Sequence, residues 1–110
     1  RCITDAEGRY KFVTIRPGAY PIIQLGNRWR PAHIHYSITG GSFAQRLITQ
    51  CYFPGDPLQV EDFVFQAVTN KAARERLIVK YAPDHSVLGY AAGHSFDIVL
   101  RGRNATPMRH

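Results

Sequence analysis

Two histidines separated by one residue are the feature of this sequence best suited to chemistry. His33 and His35 flank Ile34 and follow Pro31. Residues i and i+2 of a β-strand point to the same face, so both imidazoles can reach one point while Ile34 packs on the other side. Pro31 fixes the backbone just before the pair, which lowers the entropy cost of holding it. The spacing suits two ligands of a metal ion, or two exposed imidazoles that bind nothing.

Tyr20 is the nearest residue that could supply an anionic ligand, because no Asp or Glu occurs between Glu7 and Asp56. Ionising a free tyrosine with a pKa of about 10 at pH 7 costs about 4 kcal/mol, so a phenolate ligand requires a strongly acidic metal. Fe(III) meets that requirement, and Zn(II) meets it far less well. A tyrosine beside Pro21 can equally cap the edge of a core without binding a metal.

Arg30 and Gln50 are two further polar residues near this segment. Arg30 lies three residues before His33 and always carries its charge. Near a metal it could stabilise a developing anion in a substrate, and on a surface it could complete a salt bridge. Gln50 lies in the middle of an apolar run between Thr49 and Cys51, where a buried amide must find hydrogen-bond partners. A structural hydrogen bond is its ordinary role.

The elements that must position these side chains are mainly strands. Alternating polar and apolar residues between turn residues predict strands over 8–15, 33–38, 45–53 and 96–100. The segment 19–29 holds Pro21 and Gly26 and has no clean period, which predicts an ordered loop. We expect the strands at 33–38 and 45–53 to be neighbours in one sheet.

One helix is predicted over residues 70–80, outside the sheet. Ala72, Ala73 and Leu77 recur at helical spacing, and Asn70 or Thr69 is suited to cap the helix. Several short strands with one helix are typical of an all-β fold. The expected class is therefore a mainly antiparallel β-sandwich with one helix, either complete or missing strands.

Length and composition predict one globular domain over residues 1–110. The chain has a mass of 12.5 kDa, is 45% hydrophobic and 20% charged, and contains seven prolines and nine glycines. No window approaches about 18 consecutive apolar residues, so no transmembrane span is expected. The first residues, Arg-Cys-Ile-Thr-Asp, contain neither an initiator Met nor a secretory leader. We expect a cytoplasmic protein that is either a mature piece or a fragment.

The net charge of +6 is concentrated in the first half, where residues 1–50 hold seven basic and two acidic groups. No Lys/Arg run, RNP-type aromatic motif or helix-turn-helix pattern indicates nucleic-acid binding, and a small anionic ligand fits the charge equally well. Cys2 and Cys51 are expected to be free thiols, because a disulfide would require the fold to bring them together.

Four sequence runs resemble one known family. They are TIRPGAYP at 14–21, WRPAHIH at 29–35, LITQ with YFPGDP within 47–57, and FDIVLRGR at 96–103. The runs are similar to the C-terminal half of the intradiol ring-cleavage dioxygenases and occur in the family's order over almost the whole chain. They are most similar to the iron-bearing β subunits of the protocatechuate-cleaving branch.

The resemblance implies a role for each candidate residue. Tyr20 would be the axial tyrosinate that leaves the iron when substrate binds, and His33 and His35 would be the imidazole ligands of a non-haem Fe(III). Arg30 would stabilise charge on the substrate ring, and Gln50 would order the oxygen or substrate pocket. The family's iron has two tyrosinates, and the second comes from a segment upstream of the matched runs.

Tyr10 stands in a sequence that resembles the motif of that second tyrosine only superficially. It belongs to the segment leading into Arg16 and Pro17. The ligand role is therefore not transferred to Tyr10, and the source of the fourth protein ligand stays open.

The implied reaction is cleavage of a catecholic aromatic acid by O2 between its hydroxylated carbons, giving a cis,cis-muconate. The implied partners are an α-type subunit or further copies of the chain, without nucleic acid or membrane. Ile22 stands where protocatechuate-cleaving enzymes usually carry tryptophan, and the run Tyr-Pro-Ile resembles the catechol-cleaving branch. Catechol and hydroxyquinol are thus alternative substrates.

Two other function classes are alternatives. A non-catalytic β-sandwich that binds carbohydrate or protein would explain the strands and aromatic residues, but would leave Tyr20, His33 and His35 without a purpose. A zinc hydrolase would use the histidines, but it needs a carboxylate or cysteine ligand and a general base that the surrounding sequence does not offer.

Overall fold

Short strands joined by long loops make up most of the chain. The computed structural model describes residues 1–40, 46–87 and 91–108. Its strands are β1 Tyr20–Ile22, β2 Arg28–Arg30, β3 His33–Thr39, β4 Arg46–Tyr52, β5 Lys80–Tyr81 and β6 His94–Ser95. Its α-helices are α1 Phe63–Gln66 and α2 Lys71–Glu75, and single 3-10 turns occupy Ile23–Leu25, Pro57–Glu61 and Pro83–His85. These elements confirm a mainly β chain.

The strands form three antiparallel pairs, β1 with β2, β3 with β4, and β5 with β6. The β3–β4 pair is the longest, with seven residues in each strand. It confirms both predicted strands and their adjacency, although Gln45, the predicted start of the second, lies outside the described residues.

The register of β3 on β4 gives this pair two different faces. His33 lies opposite Tyr52 and His35 opposite Gln50, so these four residues share one face, called here the histidine face. Ile34 lies opposite Cys51 on the other face. That face packs on a cluster called here the sheet core, which consists of Ala32, Cys51, Phe53, Val79 and Phe96.

A second cluster packs the helical segment against the end of β4. This helix core consists of Tyr52, Phe65, Val68 and Leu77, and Tyr52 and Leu77 are fully buried. The backbone of Tyr52 accepts a hydrogen bond from Val79 N at 2.8 Å and donates one to Leu77 O at 2.8 Å. These bonds fix the segment after α2 to the strand that carries Gln50.

The predicted helix over 70–80 is wrong in length. Asn70 caps α2 as predicted, since its Oδ1 accepts from Ala73 N at 3.1 Å, but the helix ends at Glu75. Residues 77–79 bond to β4 instead, because tertiary hydrogen bonding there replaces the helical pattern. The expectation of a single helix is also wrong, because α1 precedes α2.

The ordered loop predicted over 19–29 is in fact a β-hairpin, β1–β2. Tyr20 pairs with Arg30 and Ile22 with Arg28. Gly26 has φ 72° and Asn27 has φ 60°, and these left-handed residues reverse the chain between the strands.

Two predicted strands are absent from the described residues. Residues 8–15 make no ladder, and Val13 and Ile15 are exposed, because the segment finds no strand to pair with in the described chain. Residues 96–100 are also irregular. There the backbone N–H of Val99 donates to the Thr106 hydroxyl and its carbonyl accepts from Thr106 N, both at 2.8 Å, so the segment bonds to its own downstream loop.

Both cysteines are free, as predicted. Cys2 is exposed and Cys51 is buried in the sheet core. Burial raises the pKa of the Cys51 thiol to about 11, so this thiol stays protonated. In the part of the chain that the structure describes, no helix has the length and apolar character needed to cross a membrane.

The helix core should carry much of the stability of this segment. Leu77→Ala removes a fully buried side chain and should lower the free energy of unfolding by about 3 kcal/mol. Leu100→Ala is the matched control, because Leu100 is 63% exposed, and it should change the free energy by less than about 0.5 kcal/mol. Urea unfolding of the complete encoded protein measures both, and equal losses would contradict the assignment of the core.

Candidate metal centre

Tyr20 and His33 meet at one corner of the histidine face. The Tyr20 hydroxyl lies 3.5 Å from His33 Nε2. The ring of His35 lies 5.0 Å from that of His33, measured between centroids. His33 is buried, whereas His35 is exposed and Tyr20 is 44% exposed. The structure therefore brings the three predicted ligands together beside solvent.

The backbone sets the protonation of His33. Its Nδ1 lies 2.7 Å from the carbonyl oxygen of Pro31, which can only accept a hydrogen bond, so Nδ1 carries the proton. Nε2 is therefore unprotonated, and its lone pair faces Tyr20 Oη and Arg30 Nη1. Burial lowers the pKa of His33, the bond to Pro31 opposes this only in part, and the charge of Arg30 lowers the pKa again. The imidazole is thus neutral, as a metal ligand must be.

The β1–β2 hairpin and the short link from Arg30 to β3 bring Arg30 to the same corner. Tyr20 and Arg30 are directly paired on β1 and β2, and β3 begins three residues after Arg30. Arg30 Nη1 lies 3.2 Å from His33 Nε2. A guanidinium only donates, so this contact is a hydrogen bond from Arg30 to the imidazole lone pair.

Arg30 also forms a buried salt bridge with Asp62. Its Nε donates to Oδ1 at 2.8 Å and its Nη2 to Oδ2 at 3.0 Å, a bidentate pair. Both side chains are almost completely buried. Burial lowers the pKa of Arg30, but the hydrogen bond and charge of Asp62 raise it above its ordinary value. The sequence left a salt bridge and a position near a metal as alternatives for Arg30. The structure contains the salt bridge, and it also places Nη1 beside His33, one of the candidate ligands.

The Gln50 side chain is fully buried, and only one of its two polar atoms has a hydrogen-bond partner. Its Oε1 accepts from Arg30 Nη2 at 3.0 Å, while its Nε2 has no hydrogen-bond partner. Leaving a buried donor unpaired costs about 1–3 kcal/mol. A hydrogen-bond acceptor brought next to Nε2 would recover this loss. The structural hydrogen bond expected from sequence is present too.

Asp62 and Tyr52 are site residues that the sequence analysis missed. The Tyr52 hydroxyl accepts from Arg30 Nη2 and lies 3.1 Å from Asp62 Oδ2, to which it donates. Asp62 Oδ2 also accepts from Phe65 N at 3.0 Å and so caps α1. An aspartate before an apolar run is a recognisable cap signal, but a partner 32 residues away leaves no local signal.

Tyr10 lies away from this corner. Its hydroxyl donates to Phe96 O at 2.6 Å, and its ring contacts Tyr36, which alternates with His33 and His35 along β3. Tyr10 therefore packs on the sheet-core side of the β3–β4 pair.

The donor set fits a ferric ion. Among residues 1–40, 46–87 and 91–108, no group of three His, Cys, Asp or Glu side chains could hold a metal. The candidate centre instead combines the imidazoles of His33 and His35 with the phenol oxygen of Tyr20. That mixture suits a strongly acidic metal such as Fe(III), which favours the phenolate form.

Comparison with known proteins identifies the family of this chain. The protocatechuate 3,4-dioxygenase beta chain of Burkholderia cepacia is 59% identical over 108 residues, which are 98% of this chain and 46% of the relative. A family model described as Dioxygenase matches residues 1–102. The chain belongs to the intradiol dioxygenase family.

Other relatives of this intradiol dioxygenase chain are named for different catechol substrates. The catechol 1,2-dioxygenase of Acinetobacter baylyi is 38% identical over 88 residues, covering 70% of this chain and 26% of the relative. The hydroxyquinol 1,2-dioxygenase of a Rhizobium species is 31% identical over 102 residues, covering 83% of the chain and 34% of the relative. The chain thus spans less than half the length of these relatives, and the family resemblance seen in the sequence is confirmed.

The Asp62 carboxylate should make stability depend on pH. Burial raises its pKa, but the hydrogen bond and charge of Arg30 and the amide of Phe65 lower it more, so the pKa lies below its ordinary value. A group of this kind stabilises the fold above its unfolded pKa of about 3.9, and the contribution is lost as the pH falls through the folded pKa. Asp62→Asn should therefore lower the free energy of unfolding by about 3 kcal/mol at pH 7.

The difference between wild type and Asp62→Asn should shrink as the pH falls below about 4. Urea unfolding at pH 7 and pH 3 measures it, with the exposed Asp84→Asn as a control that should change little at either pH. A difference of the same size at both pH values would show that the Asp62 charge does not stabilise the fold.

Proposed function

We propose that this protein cleaves a catecholic aromatic acid of the protocatechuate type with O2, between the two hydroxylated carbons, giving a cis,cis-muconate. The observation that carries the proposal is the corner formed by Tyr20 Oη and the unprotonated Nε2 of His33, 3.5 Å apart, with His35 beside them. The corner occurs in a chain of the intradiol dioxygenase family.

Tyr20, His33 and His35 would hold a non-haem Fe(III). When bound, the ferric ion supplies a Lewis acid for the two catechol oxygens and makes the ring reactive toward O2. A fourth protein ligand, the family's second tyrosine, is expected from outside the matched runs.

The chain's own residues would handle protons and charge. Tyr20 is half-exposed at the open side of the corner. Its phenolate form would take a proton from a catechol hydroxyl. Arg30, through Nη1, would stabilise negative charge on the substrate ring. The unpaired Nε2 of Gln50 would donate to a substrate oxygen.

Charge and similarity support an acidic substrate. The +6 net charge favours an anion such as protocatechuate, although salt screens the attraction beyond about 8 Å. The 59% identity to a protocatechuate 3,4-dioxygenase beta chain exceeds that to the catechol- and hydroxyquinol-cleaving relatives. Ile22, which resembles the catechol-cleaving branch, supports the catechol- and hydroxyquinol-cleaving relatives instead. Catechol and hydroxyquinol are therefore the competing substrates.

The wider setting forms part of the same proposal. The three strand pairs would belong to one antiparallel β-sandwich, and residues 1–110 would act as the C-terminal portion of a catalytic domain. The beta-chain relative supports an α-type partner subunit, with a homo-oligomer as the alternative. A cytoplasmic location stays a prediction.

Substrate turnover tests the proposal directly. The complete encoded protein, purified with any subunit that accompanies it and loaded with iron, should consume O2 with protocatechuate faster than with catechol or hydroxyquinol. The product should be the ring-opened cis,cis-muconate, identified by mass and ultraviolet absorption. Preference for catechol would overturn the substrate assignment, and failure with all three compounds would overturn the reaction.

A further inference from the structure

One edge of the Arg30 guanidinium is held by Asp62. Nε and Nη2 donate to the two carboxylate oxygens in parallel, which fixes both the position and the plane of the fork. The remaining Nη2 hydrogen faces Gln50 Oε1 and the Tyr52 hydroxyl. Only Nη1 is directed at the corner, 3.2 Å from His33 Nε2.

Asp62 is itself rigidly placed. Its Oδ2 accepts from the backbone N–H of Phe65 and from the Tyr52 hydroxyl, in addition to Arg30. Its side chain is fully buried. The start of α1 therefore sets where the carboxylate lies, and the carboxylate sets where Nη1 lies.

A role in stability alone would not require this arrangement. Buried ion pairs contribute little net stability compared with well-packed apolar residues. This pair lies beside the candidate ligands, and the ring of Phe63 lies 6.0 Å from the centre of the guanidinium. Such surroundings restrict the charge to one orientation, which is what electrostatic stabilisation of a reacting group needs.

We propose that Asp62 is a positioning residue that directs Arg30 Nη1 at the substrate ring. The assignment rests on the proposed dioxygenase function. Asp62 does not touch the reacting atoms and acts only through Arg30. Loss of its charge would let the guanidinium rotate away from the corner while the ligands stay in place.

Four variants of the complete, iron-loaded protein test this role. Arg30→Lys should lower kcat for protocatechuate roughly 100-fold, because a point charge cannot replace the fixed fork. Asp62→Asn keeps the helix cap but removes the charge, and it should lower kcat by a factor of about 30 or more. The kcat of Asp62→Glu should be higher than that of Asp62→Asn by a factor of about 3 or more, because the charge is restored. The double variant Arg30→Lys/Asp62→Asn should stay within about threefold of the worse single variant.

Two readouts separate positioning from damage to the fold. Iron content and the anaerobic dissociation constant for protocatechuate should change less than about threefold in Asp62→Asn. A crystal structure of the variant should show Arg30 Nη1 displaced from His33. Asn70→Ala is the matched control, since it removes the cap of α2 without touching Arg30, and its kcat should stay within about twofold of wild type.

Several results would overturn the role of Asp62. The first is an Asp62→Asn variant that keeps more than about a third of the wild-type kcat. The second is a double variant whose loss in kcat equals the product of the two single losses. The third is failure of both Asp62 variants to fold. Each of these leaves the proposed function intact if the wild type turns over substrate. A wild type that cleaves none of the three catechols would overturn the proposed function, and the role of Asp62 with it.

Discussion

The buried ion pair between Arg30 and Asp62 is the interaction on which the rest of the site depends. A buried charge without a partner is costly, so each member requires the other. Because Arg30 ends β2 and Asp62 caps the start of α1, the pair ties the hairpin that carries Tyr20 to the helical segment. Through Gln50 and Tyr52 the same guanidinium is joined to β4. One ion pair thus fixes three elements around the corner that holds the candidate ligands.

The register of β3 on β4 is the second constraint. With the observed register, Ile34 lies opposite Cys51 in the sheet core, and the polar residues opposite one another form the histidine face. A shift of one residue would exchange the two faces, placing the imidazoles in the core and Ile34 at the site. Burial of the apolar face therefore determines where the histidine face lies.

Features that depend on neighbouring residues were predictable from sequence, and features that depend on distant contacts were not. The His-x-His spacing placed His33 and His35 on one face, and the Asn70 cap was recognisable. The alternating segment 8–15 has a strand pattern but no partner within the described chain. The link from Arg30 to Asp62, like the early end of α2, arises from tertiary hydrogen bonds between distant segments. The hairpin was missed because its turn depends on left-handed backbone at Asn27 beside Gly26.

We propose that the Tyr20 oxygen and the nitrogens of His33 and His35 bind one ferric ion. Anomalous diffraction from crystals of the complete encoded protein, recorded on both sides of the iron absorption edge, tests this claim most directly. One iron peak is expected on the histidine face, within bonding distance of all three side chains. An anomalous peak that appears only above the zinc absorption edge, or an iron peak that does not contact these residues, would contradict it.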